Sequence, residues 1–342
     1  MIEIDGSQGE GGGQILRSSL SLSILTKQPI RIDNLRAKRR PPGLKAQHLA
    51  AVRAAAAISE AEVSGDALHS QSLTFAPKSC KAGEYTFPLE TAGSSTLVFQ
   101  TVALPLALTG EVSRLSFTGG THNTQAPPLD FLERTYLPVL EKMGIRSRLE
   151  MKSAGFYPAG GGEWELELQG VERLNPVEFL ERGPIAERRA VAYLANLSHH
   201  IGERELQQLQ DRLNWSAEEL AIEELPSRGP GNALVATLTV DSHQEVITGF
   251  GEKGVSSERV ADAVADAIQQ YQRAKVPVGI HLADQLLLPM ALAGKGSFLT
   301  HDLTQHTKTN AKVIQKFLPV KIGFKKKGKK GTLVTIEANE IS

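Results

Sequence analysis

The chain has 342 residues, and its 38 Lys+Arg balance 38 Asp+Glu, so the formal net charge is zero. An apolar fraction of 41% and a charged fraction of 22% belong to an ordinary globular protein, long enough for about two cores. One cysteine, Cys80, excludes a disulfide framework and a Cys-rich zinc site. No apolar run approaches the roughly 20 residues that span a bilayer, and Met1–Gly6 has no basic-then-apolar leader. These features predict a reducing, cytoplasmic setting with no membrane.

In chain order, a short strand at Met1–Asp5 enters the loop Gly6-Ser-Gln-Gly-Glu10-Gly-Gly-Gly-Gln14, and a helix follows over Gln14–Thr26. Glycines ahead of a helix let backbone N–H groups converge on an anion; a tight structural turn fits the same composition. No Gly-Lys-Ser/Thr follows, so this is not a Walker loop, and Gln14 stands where a dinucleotide fingerprint needs its last glycine. Glu10 would repel phosphate unless a divalent cation stood between them. A strand at Pro29–Leu35 leads to Arg36, Lys38, Arg39 and Arg40 beside Pro41-Pro42-Gly43, then to a helix over Gly43–Ile58 that carries His48.

A repeat organises the rest. Pro105-Leu-Ala-Leu-Thr-Gly110 and Pro289-Met-Ala-Leu-Ala-Gly294 share the form P-x-A-L-x-G. Each closes an apolar segment of helical spacing, then a short strand follows, Val112–Thr118 or Ser297–His301. The N-terminal third has the same order, with Lys27 in the glycine position. The prediction is three β-α-β-α-β-β units, with Gly160-Gly161-Gly162 as a bend before the strand Glu163–Leu168. The third unit has its first strand near Val177–Leu180 but its helix only at Leu282, so 182–276 reads as an insert with strands at Ala190–Leu197, Ala233–Val240 and Glu245–Phe250 and helices at Glu203–Leu213 and Ser257–Arg273. The expected fold is α/β (α+β): a large repeated domain of 1–181 and 277–342, and a smaller inserted α+β domain of 182–276.

The repeat aligns Arg39, His122 and His306, each twelve residues past the corresponding Lys27, Gly110 or Gly294, and predicts that some of these loops converge on one phosphate-handling cleft. His306 lies before a helix whose core face is Val313, Ile314, Phe317 and Leu318, with Thr307 or Thr309 as its cap. A helix N-terminus disfavours imidazolium, so a ring nitrogen keeps a lone pair for attack on phosphorus; a capping or surface histidine is the other reading. No His-Glu-x-x-His spacing occurs, which excludes the common zinc hydrolases. Nine lysines and no acid fall between Lys308 and Lys330, a cluster suited to a phosphate-rich partner or to a solvated face.

Taken together, the sequence resembles the RNA 3′-terminal phosphate cyclases over nearly its whole length. The resemblance runs through Asp5-Gly-Ser-Gln-Gly-Glu-Gly-Gly-Gly-Gln-Ile-Leu-Arg17, Pro42-Gly-Leu, Gln47-His48-Leu, Gly119-Gly-Thr, Ala126-Pro-Pro and Gly155-Phe-Tyr-Pro-Ala-Gly-Gly-Gly162. It continues in Arg228-Gly-Pro-Gly-Asn232, Leu282-Ala-Asp-Gln-Leu-Leu-Leu-Pro-Met-Ala-Leu-Ala-Gly294 and His306-Thr-Lys-Thr-Asn310. It implies three similar β/α units with an inserted domain, and ATP-dependent conversion of an RNA 3′-phosphate to a 2′,3′-cyclic phosphate. By the same resemblance His306 is the nucleophile that takes AMP from ATP. Glu10 faces a divalent metal, Mg or Mn. Gln100, Pro127, His281, Leu282, Ala283, Asp284 and Gln285 hold ATP, and Arg17, Arg36 and Arg39 meet RNA or triphosphate. Position 281 is His where the family often has Tyr. Two other readings are a non-catalytic RNA-binding relative in ribosome assembly, which would lack the histidine, and an enolpyruvyl-type transferase, which would form no nucleotidyl-histidine.

Overall fold

Alternation of apolar side chains in short strands and apolar stripes on the helices between them give the chain its layers. The computed structural model describes residues 1–9, 11–328 and 331–339. Its first unit is β1 (Ile2–Asp5), α1 (Gly13–Thr26), β2 (Ile30–Asp33), α2 (Ala46–Ser59), β3 (Glu62–Ser64) and β4 (Leu73–Ala76). The second is β5 (Glu84–Phe87), α3 (Ser95–Ala107), β6 (Val112–Gly119), a helical run made of α4 (Leu129–Phe131), a π-helical turn (Leu132–Tyr136) and α5 (Leu137–Lys142), then β7 (Arg146–Ser153) and β8 (Gly162–Gln169). The third begins with β9 (Glu178–Phe179). The chain then passes through β10 (Ile185–Ala195), α6 (His199–Leu213), β11 (Leu220–Glu224), β12 (Gly231–Val240), β13 (Gln244–Phe250) and α7 (Ser257–Ala274). It returns to the third unit as α8 (Ile280–Leu292), β14 (Lys295–Thr300), α9 (Gln305–Phe317), β15 (Val320–Lys326) and β16 (Thr332–Ala338).

The three units have one topology. Their sheets run β1-β2-β4-β3, β5-β6-β8-β7 and β9-β14-β16-β15; in each, the first two strands are parallel and the remaining pairings antiparallel. Helices from all three units bury their apolar stripes in one continuous core. The 185–274 segment forms the mixed sheet β11-β10-β12-β13, and the period of two divides it between two cores. Ala190, Ala192, Leu234, Ala236 and Leu238 pack under α6 and α7, while Val191, Tyr193, Ala195, Ala233 and Val235 join the main core.

Some local features match the expectations and others differ. The helices do not stop at the prolines: α3 and α8 continue through Pro105 and Pro289. Proline removes the N–H that would serve the carbonyl four residues back; in α3 that carbonyl, on Thr101, accepts the Ser21 hydroxyl at 2.7 Å instead. Lys27 takes the left-handed conformation (φ 54°) that glycine takes at 110 and 294, so the first unit closes its helix without glycine. The cap of α9 is Thr304, whose hydroxyl accepts from the Thr307 N–H at 3.1 Å. His306 is therefore inside the first turn rather than ahead of it. Strand β11 has no counterpart among the sequence expectations: Leu220–Glu224 alternates too little over too few residues to stand out.

Candidate active site

The site is built where the N-terminus of α1 meets α8 and the start of α9. Gly12 precedes α1 with no side-chain cap and no acid in the first turn, so the positive end of the helix stays open. A Cβ on Gly13 would lie 2.5 Å from His48 Nε2 and 2.8 Å from Arg17 Nη1, and one on Gly9 (φ +55°) would lie 1.9 Å from Thr309 Oγ1. Only glycine allows the loop to pass this closely between α9 on one side and Arg17 and His48 on the other. Arg39 extends toward Gly12, its Nη2 3.9 Å from where a Cβ would stand.

A chain of side-chain hydrogen bonds crosses from α8 to α9 through α1. Gln14 Nε2 donates to both Asp284 carboxylate oxygens at 2.6 Å, and Gln14 Oε1 stands 2.8 Å from His306 Nδ1. Asn310 Nδ2 donates to the Asp284 carbonyl at 3.2 Å, and Asn310 Oδ1 accepts the Ser18 hydroxyl at 2.7 Å. Three helices are thus tied by polar contacts, with the exposed imidazole of His306 at the rim. Beneath lies a cavity of about 50 Å³ lined by Gln14, Arg17, Ser18, Gln100, Tyr136, Asp284, Gln285 and Asn310, among others. Across it Gln100 Nε2 donates to Gln285 Oε1 at 2.8 Å.

Burial decides the local charges. It pulls the Arg17 pKa down to about 10, against the field of Asp284, which leaves the guanidinium charged at neutral pH. It raises the Asp284 pKa, opposed by the Gln14 amide and by the neighbouring His306, Arg17 and His281. His48 is held down at about 3 by burial and then by Arg17, Arg36 and Lys45, so it is neutral; its Nδ1 accepts the Lys45 N–H at 3.1 Å.

Of the residues singled out in the sequence, Arg17, Gln100, Asp284, Gln285 and His306 come together here. His281 is exposed at the start of α8, and Pro127 accepts the Thr96 hydroxyl through its carbonyl; neither lines the cavity. The side chains of Leu282 and Ala283 are buried in the main core, because the apolar stripe of α8 must pack there. Arg36 is buried too, its Nη1 donating to the Pro41 and Gly43 carbonyls at 3.0 and 2.8 Å. It holds the basic loop in shape instead of presenting a free guanidinium. Glu10, Lys329 and Lys330 lie outside the described residues. His122 does not join the cleft: it is buried, with Nε2 2.9 Å from Asp130 and Nδ1 2.7 Å from Thr121 Oγ1.

Sequence reasoning missed Gln14, Ser18, Tyr136 and Asn310 as cavity residues. The available signal was Ser18 one helical turn beyond Gln14 on a helix rich in serine; nothing marked Tyr136. Its π-turn ends two residues before Pro138, whose missing N–H loosens the helical ladder there. A second hollow, about 340 Å³, lies between Arg134 and the sheet of the 185–274 segment. Its arginines are already engaged, Arg134 with Asp130 and Tyr193, Arg188 with Glu219 and Arg189 with Glu223. Among the described residues no three His, Cys, Asp or Glu gather as a metal site, and no helix is long and apolar enough to cross a membrane.

A family model described as RNA 3′-terminal phosphate cyclase matches residues 8–324, which include every helix of the three units and the whole hydrogen-bonded chain around His306. The chain belongs to the RNA 3′-terminal phosphate cyclase family. It is 49% identical over 321 residues to the RNA 3′-terminal phosphate cyclase of Koribacter versatilis (strain Ellin345), covering 94% of this chain and 90% of that one. The proteins of the same name from Pseudomonas fluorescens and Pseudomonas aeruginosa are 46% and 48% identical over 323 and 324 residues, with 94% of each chain covered.

Proposed function

We propose that this protein cyclises RNA 3′-phosphate ends at the expense of ATP, through an AMP carried on His306. In the first step the Nε2 lone pair attacks the α-phosphorus of ATP, the bond to the bridging oxygen breaks, and pyrophosphate leaves with that electron pair. An oxygen of the RNA 3′-phosphate then attacks the same phosphorus and the Nε2–P bond breaks, returning the lone pair to the ring. Last, the neighbouring 2′-hydroxyl attacks the activated 3′-phosphorus, gives up its proton and expels AMP. A phosphate oxygen is a poor leaving group and AMP a good one, so adenylation makes the ring closure feasible. The adjacent hydroxyl supplies the effective-molarity advantage of an intramolecular attack, and covalent transfer splits one displacement into two.

The reading is carried by one observation: an exposed imidazole in the first turn of α9, its Nδ1 2.8 Å from Gln14 Oε1, beside a polar cavity with Arg17 at its wall. Arg17, the open N-terminus of α1 and Arg39 are suited to hold the triphosphate. At about 50 Å³ the cavity is well below the ~300 Å³ of a small ligand pocket. The nucleoside therefore sits over its mouth, or the Gln100–Gln285 hydrogen bond opens to admit the base. A divalent ion would screen phosphate charge during transfer. The described residues do not by themselves form its site, so none of the steps above runs through it.

Incubation with α-³²P-ATP and Mg or Mn tests the reading directly. Acid-labile, alkali-stable label on the wild type, absent from His306→Ala, is the expected result; a wild type that stays unlabelled while properly folded overturns it and favours an RNA-binding relative.

A further inference from the structure

The 185–274 segment reaches back to the candidate site through a buried carboxyl group. We infer that Glu245, on β13, is a positioning residue: by holding the residue that begins α8, it sets where Asp284 and Gln285 stand in the cavity wall and so how tightly the site grips ATP. The inference rests on the proposed function for the nucleotide, and on geometry alone for the link between Glu245 and α8.

Only residues 275–279 separate α7 from α8. Two side chains of the preceding segment fasten this link. Tyr271 donates its hydroxyl to the Pro277 carbonyl at 2.9 Å, and Glu245 Oε2 accepts the Gly279 N–H at 3.2 Å. Glu245 is buried, and so is His243, whose Nε2 stands 3.4 Å from the same oxygen. The imidazole is fixed in turn by Ser242 Oγ, 2.8 Å from its Nδ1, and by the ring of Phe179 on β9, which meets it edge-on with centroids 5.7 Å apart. Gly279 is the N-cap of α8 and has no side chain to serve there, so the Glu245 carboxyl lies at the positive end of the helix. The backbone of Gly279 (φ −70°, ψ 168°) is ordinary extended chain. A Cβ on it would nevertheless lie 1.9 Å from Glu245 Oε1 and 2.5 Å from Glu245 Cδ. The carboxyl group, and not the turn, demands glycine at this position.

Asp284 and Gln285 follow Gly279 by about 8–9 Å along the axis, at ~1.5 Å per residue. Less than two turns of helix is too short a span to absorb a shift at its start. Asp284 meets the Gln14 amide at 2.6 Å and Gln285 meets the Gln100 amide at 2.8 Å, contacts that an ångström of displacement would break. His306 is carried by α9 instead. Loosening the start of α8 therefore weakens the hold on the nucleotide more than it misplaces the reacting ring.

Two measurements on the full chain test this. Amide hydrogen exchange without nucleotide reads α8 directly: in Glu245→Ala the Gly279 N–H should exchange about 10-fold faster, as a local opening that leaves the core protected. Single-turnover self-adenylation against ATP concentration reads the site. The same variant should need about 10-fold more ATP for half-maximal rate, with the maximal rate nearly unchanged. Glu245→Gln keeps an accepting oxygen and should restore both. Gly279→Ala expels the carboxyl from the other side. It should reproduce the Glu245→Ala behaviour, and the double variant should be no worse than either single one. A folded Glu245→Ala or Gly279→Ala protein with unchanged Gly279 exchange, or with faster exchange but an unaltered ATP requirement, overturns the inference. A folded wild type that ATP never labels overturns the proposed function, while the exchange data still decide whether Glu245 holds α8.

Discussion

His48 shows how far one side chain can be moved by its surroundings. It is 4% exposed and held at a pKa of about 3, against 6.5 in the unfolded chain, by burial and by three neighbouring cations. A depressed histidine pKa means that the unfolded state binds the extra proton. Its contribution to stability is therefore complete above about pH 6.5 and is lost as pH falls toward about 3. Between pH 7 and pH 5 this one group should remove about 2 kcal/mol of stability. His48→Gln keeps an acceptor for the Lys45 N–H and does not titrate. Urea midpoints at the two pH values should therefore fall less for the variant than for the wild type, and equal falls would contradict the assignment. His306 and His48 were both visible in the sequence as candidates, and their opposite fates, one exposed and one buried, were not. Exposure depends on which helices pack alongside, and no local spacing encodes that.

At the scale of the helix, α3 and α8 each carry a proline near the end, and α3 tolerates it because a neighbour serves the freed carbonyl. In α3 the neighbour is Ser21, on α1. Ser21→Ala should cost about 1–2 kcal/mol by leaving the buried Thr101 carbonyl without a partner. In a Pro105→Ala background the helix regains an N–H for that carbonyl, so the same Ser21→Ala change should cost less by about 1 kcal/mol. Denaturant midpoints of the four proteins in the cycle give this coupling, and strict additivity would refute it. The P-x-A-L-x-G repeat revealed where these helices end to within a few residues. It could not reveal that α3 runs through its proline, because the compensating hydroxyl comes from a segment 80 positions away in the chain.

Across the whole molecule, neutrality conceals a separation of charge. Lys308, Lys312 and Lys316 recur every four residues along the exposed side of α9, a line about 12 Å long at 1.5 Å per residue. This side adjoins the glycine loop, since Gly9 presses on Thr309 and Lys316 Nζ reaches the Glu3 carbonyl at 3.4 Å. With RNA as the proposed substrate, phosphates upstream of the reacting end would lie along this line. Each phosphate contact contributes about 0.7 to the slope of log affinity against log salt for a single strand. Replacing all three lysines with glutamine should flatten that slope by about 2, measured by fluorescence anisotropy with a labelled RNA 3′-phosphate; an unchanged slope removes α9 from the RNA path.

The sequence by itself determined the three-unit architecture, because each unit repeats the same alternation of strand and helix periods, and periodicity is a local property. It also determined the family, through ordered motifs spread along nearly the full chain. Tertiary structure alone decided that Leu282 and Ala283 serve the core, that Arg36 is spent on its own loop, and that Gln14 bridges Asp284 and His306. Those partners lie up to 292 positions apart, and they meet only because α1, α8 and α9 bury their apolar stripes against one another. Hydrophobic packing sets the distances between helices, and the hydrogen-bond geometry at their ends follows from it.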